Sequence, residues 1–371
     1  MLTPILASFA TFLMELESKH EKVDFLDFYY HIKKLWSKDD AIDDALNRVH
    51  SNKEHILRDL FYKEFSKIPK ERRTAFLRLF LHSMIDYFRK KDKFIGAFLD
   101  MNNQCNMNCD NCINKALNHK EDMTWSPEQI KTVLNKIKEY TRFLYVSGGE
   151  PYLNPNLSDA IRAYQEMLFL TFTNGTMTDE YKKVIANGSN NVIFIVSIDG
   201  TIKEHDIKRG TGSYSKAIDS IKLLRDNGYF TGVSTVVNPG NIDYVLSNSY
   251  LEQLKNESDF SFQYYLKEAS CNDQEFLKKY IELSGERKKH IDSPVPTFNM
   301  PFGEIISKGK TCMAGDSIFH IAVNGDVTSC PFLFKTYGNI FADDMSAISS
   351  DLKSSEQSCA YQKKLTNLSC Q

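Results

Sequence analysis

An α/β fold is the class this sequence predicts, on three observations. From Phe94 to about residue 293, short apolar runs alternate with stretches of helical periodicity, as parallel strands joined by helical crossovers would. Before Phe94 the apolar residues recur at helical spacing and no convincing strand is present. After about residue 293 the alternation stops, and four of the eight cysteines fall there.

Taken in order, residues 1–94 read as a helical module. Ile5, Phe9, Phe12, Leu13 and Leu16 mark one helical face, and Phe76, Leu77, Phe80, Leu81, Met84, Ile85 and Phe88 mark another. The apolar opening lacks a basic start and runs into Glu15 and Glu17, so it reads as an amphipathic helix and not as an export signal or a membrane span. Candidate strands then follow at 95–101, 143–147, 168–173, 192–198, 232–237 and 260–266. Between the first two, Ser126-Pro127-Glu128-Gln129 supplies an N-cap, a first-turn proline and a capping-box glutamine ahead of Ile130, Val133, Leu134 and Ile137. Six βα units are too few for the usual eight-stranded closure. Further on, 321–323, Asn324-Gly325 and 326–329 read as a tight hairpin with a type I′ turn, and 345–362 as a closing helix.

Composition narrows the function classes. With 371 residues, 42% of them hydrophobic, the chain can form one large domain and one or two smaller ones. A net charge of -2 argues against a nucleic-acid backbone as partner, and the run Lys70-Glu71-Arg72-Arg73 reads as solvated helix surface. Eight cysteines without an export signal point to metal binding or catalysis in a reducing, cytoplasmic compartment, with no membrane partner.

The cysteines carry the chemistry. Cys105, Cys109 and Cys112 lie on one short loop after the first predicted strand. Three thiolates so placed can hold three corners of a cubane iron-sulfur cluster and leave the fourth iron open, whereas four-cysteine sites close the cluster. The competing reading is a structural zinc site, which wants a fourth Cys or His close by.

This triplet resembles the signature of the radical S-adenosylmethionine (radical SAM) superfamily. There the amino and carboxylate groups of S-adenosylmethionine occupy the free iron of a [4Fe-4S] cluster, and electron transfer releases a 5′-deoxyadenosyl radical. One departure is Asn111, where the family usually has an aromatic or bulky residue before the third cysteine. The resemblance implies a partial (β/α)6 barrel over 95–292, preceded by the helical module and followed by a small cluster-binding extension over 293–371. It also implies cofactor contacts at strand ends. Gly148, Gly149 and Glu150, ahead of Pro151, resemble the Gly-Gly-Glu-Pro element that closes the second strand, where glycines permit close backbone approach and a carboxylate can accept from the cofactor ammonium. Asn174, Ser197 and Asp199 resemble positions at the ends of the third and fourth strands, and Arg209 resembles the arginine of a later loop that pairs with the cofactor carboxylate. Ordinary turns and a surface arginine are the bland readings of the same residues.

Cys312, twelve residues, Gly325, four residues and Cys330 are similar to the element that opens the SPASM and twitch extensions, which hold auxiliary iron-sulfur clusters. The full SPASM set would continue through further closely spaced cysteines, but the sequence reaches Ser369-Cys370-Gln371 first. The resemblance therefore implies a twitch-like or shortened set of Cys312, Cys330 and Cys370, with Cys359 either a further ligand or a buried structural thiol. Cys271, left over, is a hydrogen-atom donor if the enzyme is an epimerase, and otherwise a structural or cluster-binding thiol. The implied activity is modification of a peptide or small protein by crosslinking, thioether formation, epimerisation or oxidation, with an external electron donor. A twitch-type small-molecule dehydrogenase and a non-enzymatic zinc or iron-sulfur regulator are the alternatives.

Overall fold

The computed structural model describes residues 92–110, 112–116, 121–265, 297–299, 314–331 and 335–354, with part of 68–87 and a few residues of 276–283. Six parallel strands lie close to their expected bounds: β1 (Gly96–Asp100), β2 (Phe143–Ser147), β3 (Leu168–Thr173), β4 (Val192–Ser197), β5 (Thr231–Val237) and β6 (Phe260–Tyr265). Each neighbours the next in the sheet, so the chain forms the βα succession of a partial barrel.

The sheet extends at both edges beyond the six. A short β7 (Thr297–Asn299) pairs parallel with β6, and β8 (Ile318–Ile321) pairs parallel with β1 on the opposite side. From β8 the chain returns antiparallel through β9 (Asp326–Thr328) to β10 (Thr336–Asn339). The resulting order among the described residues is β10-β9-β8-β1-β2-β3-β4-β5-β6-β7.

Strand alternation divides the core between two faces. On the outer face Ala97, Leu99, Leu144, Val146, Phe169, Phe194, Phe319 and Ile321 pack against the helices. Helix α1 (Pro127–Ile137) buries Ile130, Val133, Leu134 and Ile137 there, and its predicted capping box is formed between Ser126 and Gln129. The helices α2 (Leu157–Ala163) and α3 (Thr178–Ala186) continue the layer. After α4 (Ile202–Arg209), a second outer cluster joins Val196, Ile198, Val233 and Val237 to α5 (Ser213–Asp226) and α6 (Asn248–Glu257). Burying each large side chain of this layer contributes about 1.5–3 kcal/mol before entropy is charged against it.

The inner face carries Phe98, Phe143, Tyr145, Leu168, Leu170, Ile193, Ile195 and Ile318, joined by Ile68, Phe76 and Leu79. The described end of the expected helical module therefore packs into the barrel interior. Residues 1–67 lie outside the described residues.

The described part of the expected extension is equally continuous with the barrel. Buried Trp125 donates from Nε1 to the Val323 carbonyl at 2.7 Å, and Lys136 Nζ donates to the Ile340 carbonyl at 2.7 Å. Helix α7 (Met345–Ser354) lays Met345, Ile348 and Leu352 into the outer cluster, and the remainder of the expected closing helix lies outside the described residues.

One turn differs from the sequence expectation. Ala322 N donates to Asp326 O at 2.9 Å and Gly325 N donates to Ala322 O at 2.8 Å, so the hairpin connection is Val323-Asn324-Gly325 and not the two-residue turn Asn324-Gly325. Gly325, at φ 89°, takes the left-handed position that closes such a three-residue loop. A side chain at that position would also meet the Phe341 ring.

Candidate active site

The cysteine loop leaves the carboxyl end of β1 and is laced down before the first thiol. Buried Asn102 donates from Nδ2 to the Glu150 carbonyl at 2.8 Å, while Gly149 N donates to Asn102 O at 3.0 Å and Glu150 N to Gln104 O at 2.8 Å. Asn103 donates to Glu121 O at 2.7 Å and accepts from Met123 N at 2.8 Å, and Asn114 donates to Asn103 O at 2.7 Å. The segment that carries the thiols is thus built on the turn after β2.

That contact explains the paired glycines. A Cβ at Gly148, which also sits at φ 116°, would collide with the Asn102 carbonyl, and one at Gly149 with the Gln104 carbonyl. The close approach is made by the cysteine loop itself.

Glu150 is only 1% exposed, and the protein takes up its carboxylate. Oε1 accepts from Thr173 Oγ1 at 2.7 Å and Tyr152 N at 3.2 Å, and Oε2 accepts from Asn174 N at 2.8 Å. Burial pushes its pKa up to about 7, against the opposing effect of these donors. The residue works as a clamp between the ends of β2 and β3. Asn174, held there, donates from Nδ2 to Asn106 Oδ1 at 2.8 Å and faces Cys105 Sγ at 3.9 Å.

A second clamp lies at the end of β4. Asp199 is fully buried and accepts from Arg209 Nε at 2.6 Å and from Val236 N at 2.9 Å, with Lys208 Nζ at 3.0 Å. Burial opposes ionisation, yet Arg209 and Lys208 hold the carboxyl well below the usual carboxylate range. Next to it, burial and Arg209 lower the His205 imidazole to about 4, and its Nδ1 accepts from Asp199 N at 3.3 Å. Lys208 reaches the cysteine loop through its backbone, where Asp110 N donates to Lys208 O at 3.2 Å.

Two of the three thiols respond to these surroundings. Burial raises Cys105, with Glu150, Cys109 and Cys112 adding repulsion. Burial also raises Cys109, while Arg209 and Lys208 act to lower it. The cysteines are therefore near enough to repel one another as thiolates and lie beside two cations. Among the described residues no three His, Cys, Asp or Glu side chains converge as they would around a single ion. Three ligands taking separate corners of a cubane need no such convergence.

Of the other expected site residues, Ser197 stands half-buried at the end of β4, beside Ser234 of β5. Cys330 is half-buried against the inner-face cluster. Cys271, Cys312, Cys359 and Cys370 lie outside the described residues. Of the residues that hold Glu150, Asn174 is an expected site residue, whereas Tyr152 carries no motif by which sequence reading could find it.

Residues 100–245 match the family model described as the radical SAM superfamily. The chain contains a radical SAM domain. It begins at the last residue of β1 and takes in the cysteine loop, the Glu150 clamp and the Asp199 clamp. Over a longer stretch, the chain is similar to the antilisterial bacteriocin subtilosin biosynthesis protein AlbA of Bacillus subtilis, at 24% identity over 281 residues, covering 68% of this chain and 59% of AlbA. The mycofactocin maturase MftC of Mycobacterium tuberculosis is 23% identical over 273 residues, covering 64% of this chain and 66% of MftC. The chain thus spans less than two thirds of the length of either relative.

Solved structures share the radical SAM fold. Streptococcus suis SuiB bound to the precursor peptide SuiA superposes with a TM-score of 0.55 at 14% identity, over 74% of this chain and 68% of SuiB. Native anSMEcpe with bound AdoMet gives 0.54 at 18% identity, over 68% and 79%. Among the described residues no helix is long and apolar enough to cross a membrane.

Proposed function

We propose that this chain is a radical SAM enzyme that modifies a peptide or small protein substrate, with its chemistry at the carboxyl ends of β1–β4. The observation that carries the reading is the Cys105, Cys109 and Cys112 loop, built onto Gly148, Gly149 and Glu150 and flanked by Asn174 and Arg209. The peptide class is supported by the relatives, a bacteriocin biosynthesis protein and a maturase, and by the fold shared with SuiB, a protein solved with a precursor peptide.

In this reading the three cysteines would hold a [4Fe-4S] cluster that, when loaded with S-adenosylmethionine and reduced by an external donor, supplies a 5′-deoxyadenosyl radical. The chain's own contribution is placement. Arg209 and Lys208 set positive charge beside Cys109, which favours its thiolate form as a ligand. Arg209, Asn174 and Ser197 would meet the cofactor at the strand ends, while Glu150 and Asp199, satisfied by protein donors, hold those groups in position. The apolar inner face below keeps water from the reacting carbon.

We assign the domains as a helical module at 1–94, the barrel at 95–292 and an extension at 293–371. Cys312, Cys330 and Cys370 would hold an auxiliary cluster, with Cys359 or Cys271 as fourth ligand, and Cys271 would instead donate hydrogen in an epimerase. The cytoplasm is the assigned compartment.

The test is anaerobic reaction of reconstituted protein with S-adenosylmethionine, a reductant and candidate peptides. The expected result is 5′-deoxyadenosine together with a change in peptide mass or deuterium content, both abolished when Cys105, Cys109 and Cys112 are replaced by Ala. Full cleavage by the triple variant would overturn the assignment. Cofactor cleavage stimulated by a small alcohol and by no peptide would move the substrate to the small-molecule class.

A further inference from the structure

A buried hydrogen-bonded chain crosses four strands outside the clamps described above. It starts at Ser147, the residue before Gly148, whose Oγ donates to Asp100 Oδ1 at 2.9 Å. Asp100 Oδ2 lies 2.8 Å from His320 Nε2, across the β1–β8 pairing. His320 Nδ1 lies 3.0 Å from Thr328 Oγ1, its register partner on β9, and that hydroxyl donates to the Cys330 carbonyl at 3.0 Å. His320 is 3% exposed, Asp100 7% and Thr328 7%.

The contacts constrain where the protons of this path lie. The threonine hydroxyl has a single hydrogen and gives it to the Cys330 carbonyl, so toward the ring its oxygen accepts and Nδ1 carries hydrogen. Nε2 and Asp100 Oδ2 share one proton between them in a single hydrogen bond. Every polar atom of the path is then met: Ser147 donates to Asp100, the ring bridges Asp100 and Thr328, and Thr328 donates to the Cys330 carbonyl.

We propose that Asp100, His320 and Thr328 are positioning residues that fix the Cys330 turn relative to the end of β1, where the cysteine loop begins. The chain ties the turn after β2 to the backbone of Cys330 through four adjacent strands. Its apolar surroundings make this polar path costly to leave half-satisfied, so loss of one member releases the turn. The proposal rests on the reading of Cys330 as a ligand of an auxiliary cluster, whose environment this chain then sets through the ligand's backbone.

The experiment uses full-length protein with Cys105, Cys109 and Cys112 replaced by Ala, reconstituted anaerobically so that only an auxiliary cluster can form. Thr328→Val and His320→Gln are compared with Thr328→Ser, which keeps the hydroxyl. Hydrogen exchange of the segment 326–331 is expected to speed up about tenfold in the first two, the change that about 1.4 kcal/mol of easier local opening produces. The electron paramagnetic resonance signature and midpoint potential of the auxiliary cluster are expected to shift in the same two variants and to stay at the parent values in Thr328→Ser. A cluster that forms in all variants with an unchanged signature overturns the proposal and leaves the chain a brace of the fold. Absence of iron in the parent triple variant overturns the ligand reading of Cys330, and the proposal with it.

Discussion

Replacement of Glu150 by Gln tests the clamp between the ends of β2 and β3. The carboxylate accepts at both oxygens, from Thr173 and Tyr152 on one side and from Asn174 on the other. A carboxamide accepts at one end only and turns its NH2 toward a backbone N–H at the other. With Glu150 1% exposed, one lost bond and one unpaired donor are costs that count against the variant only where the parent carboxyl is ionised. The native carboxyl, however, is pushed up to about 7 from an ordinary 4.5. Between those values the unfolded chain releases the proton and the folded chain keeps it, so parent stability falls as pH rises, by about 3 kcal/mol in all. The variant has no proton to lose there. Urea unfolding of the metal-free protein at a series of pH values is therefore expected to find the parent's stability relative to the variant lower by about 3 kcal/mol at pH 8 than near pH 4.5. A gap that stays constant across that range would refute the buried, shifted carboxyl. In the same variant Asn174 is released, so iron incorporation at Cys105 is expected to fall.

Asp199→Asn removes the carboxylate held by Arg209 and Lys208, and the expected signature is acid sensitivity of opposite sign. The parent gains stability from this group above the ordinary carboxylate range and loses it as pH falls below about 4, whereas the variant lacks that loss but is less stable at neutral pH. Gly149→Ala drives a methyl into the Gln104 carbonyl, so the reconstituted variant is expected to keep its fold by circular dichroism but lose most cluster absorbance. Cys271→Ala in an epimerase is expected to retain 5′-deoxyadenosine formation and lose the inverted product, read by chiral amino-acid analysis; unchanged product and deuterium content would return Cys271 to a structural or ligand role.

By itself the sequence determined the features that depend on neighbours along the chain. The capping box at Ser126 and Gln129, the apolar runs of β1–β6 and the spacing of Cys105, Cys109 and Cys112 are local, and the first two are formed as read. Tertiary structure alone decided where those pieces meet. A short run such as Ile318–Ile321 names no partner, so its parallel pairing with β1 was not legible, and β7 is too brief to stand out. The direction of the Glu150 carboxylate was likewise hidden, because it depends on the juxtaposition of Thr173 and Asn174, which the β2–β3 register supplies. The same reason holds for Asp100 and His320, 220 residues apart and touching. Local chemistry sets which residues can form a strand, a cap or a metal-binding loop, whereas the partner of a buried polar group is set by burial itself: once water is excluded, each donor and acceptor must be met by whatever the packed strands bring alongside.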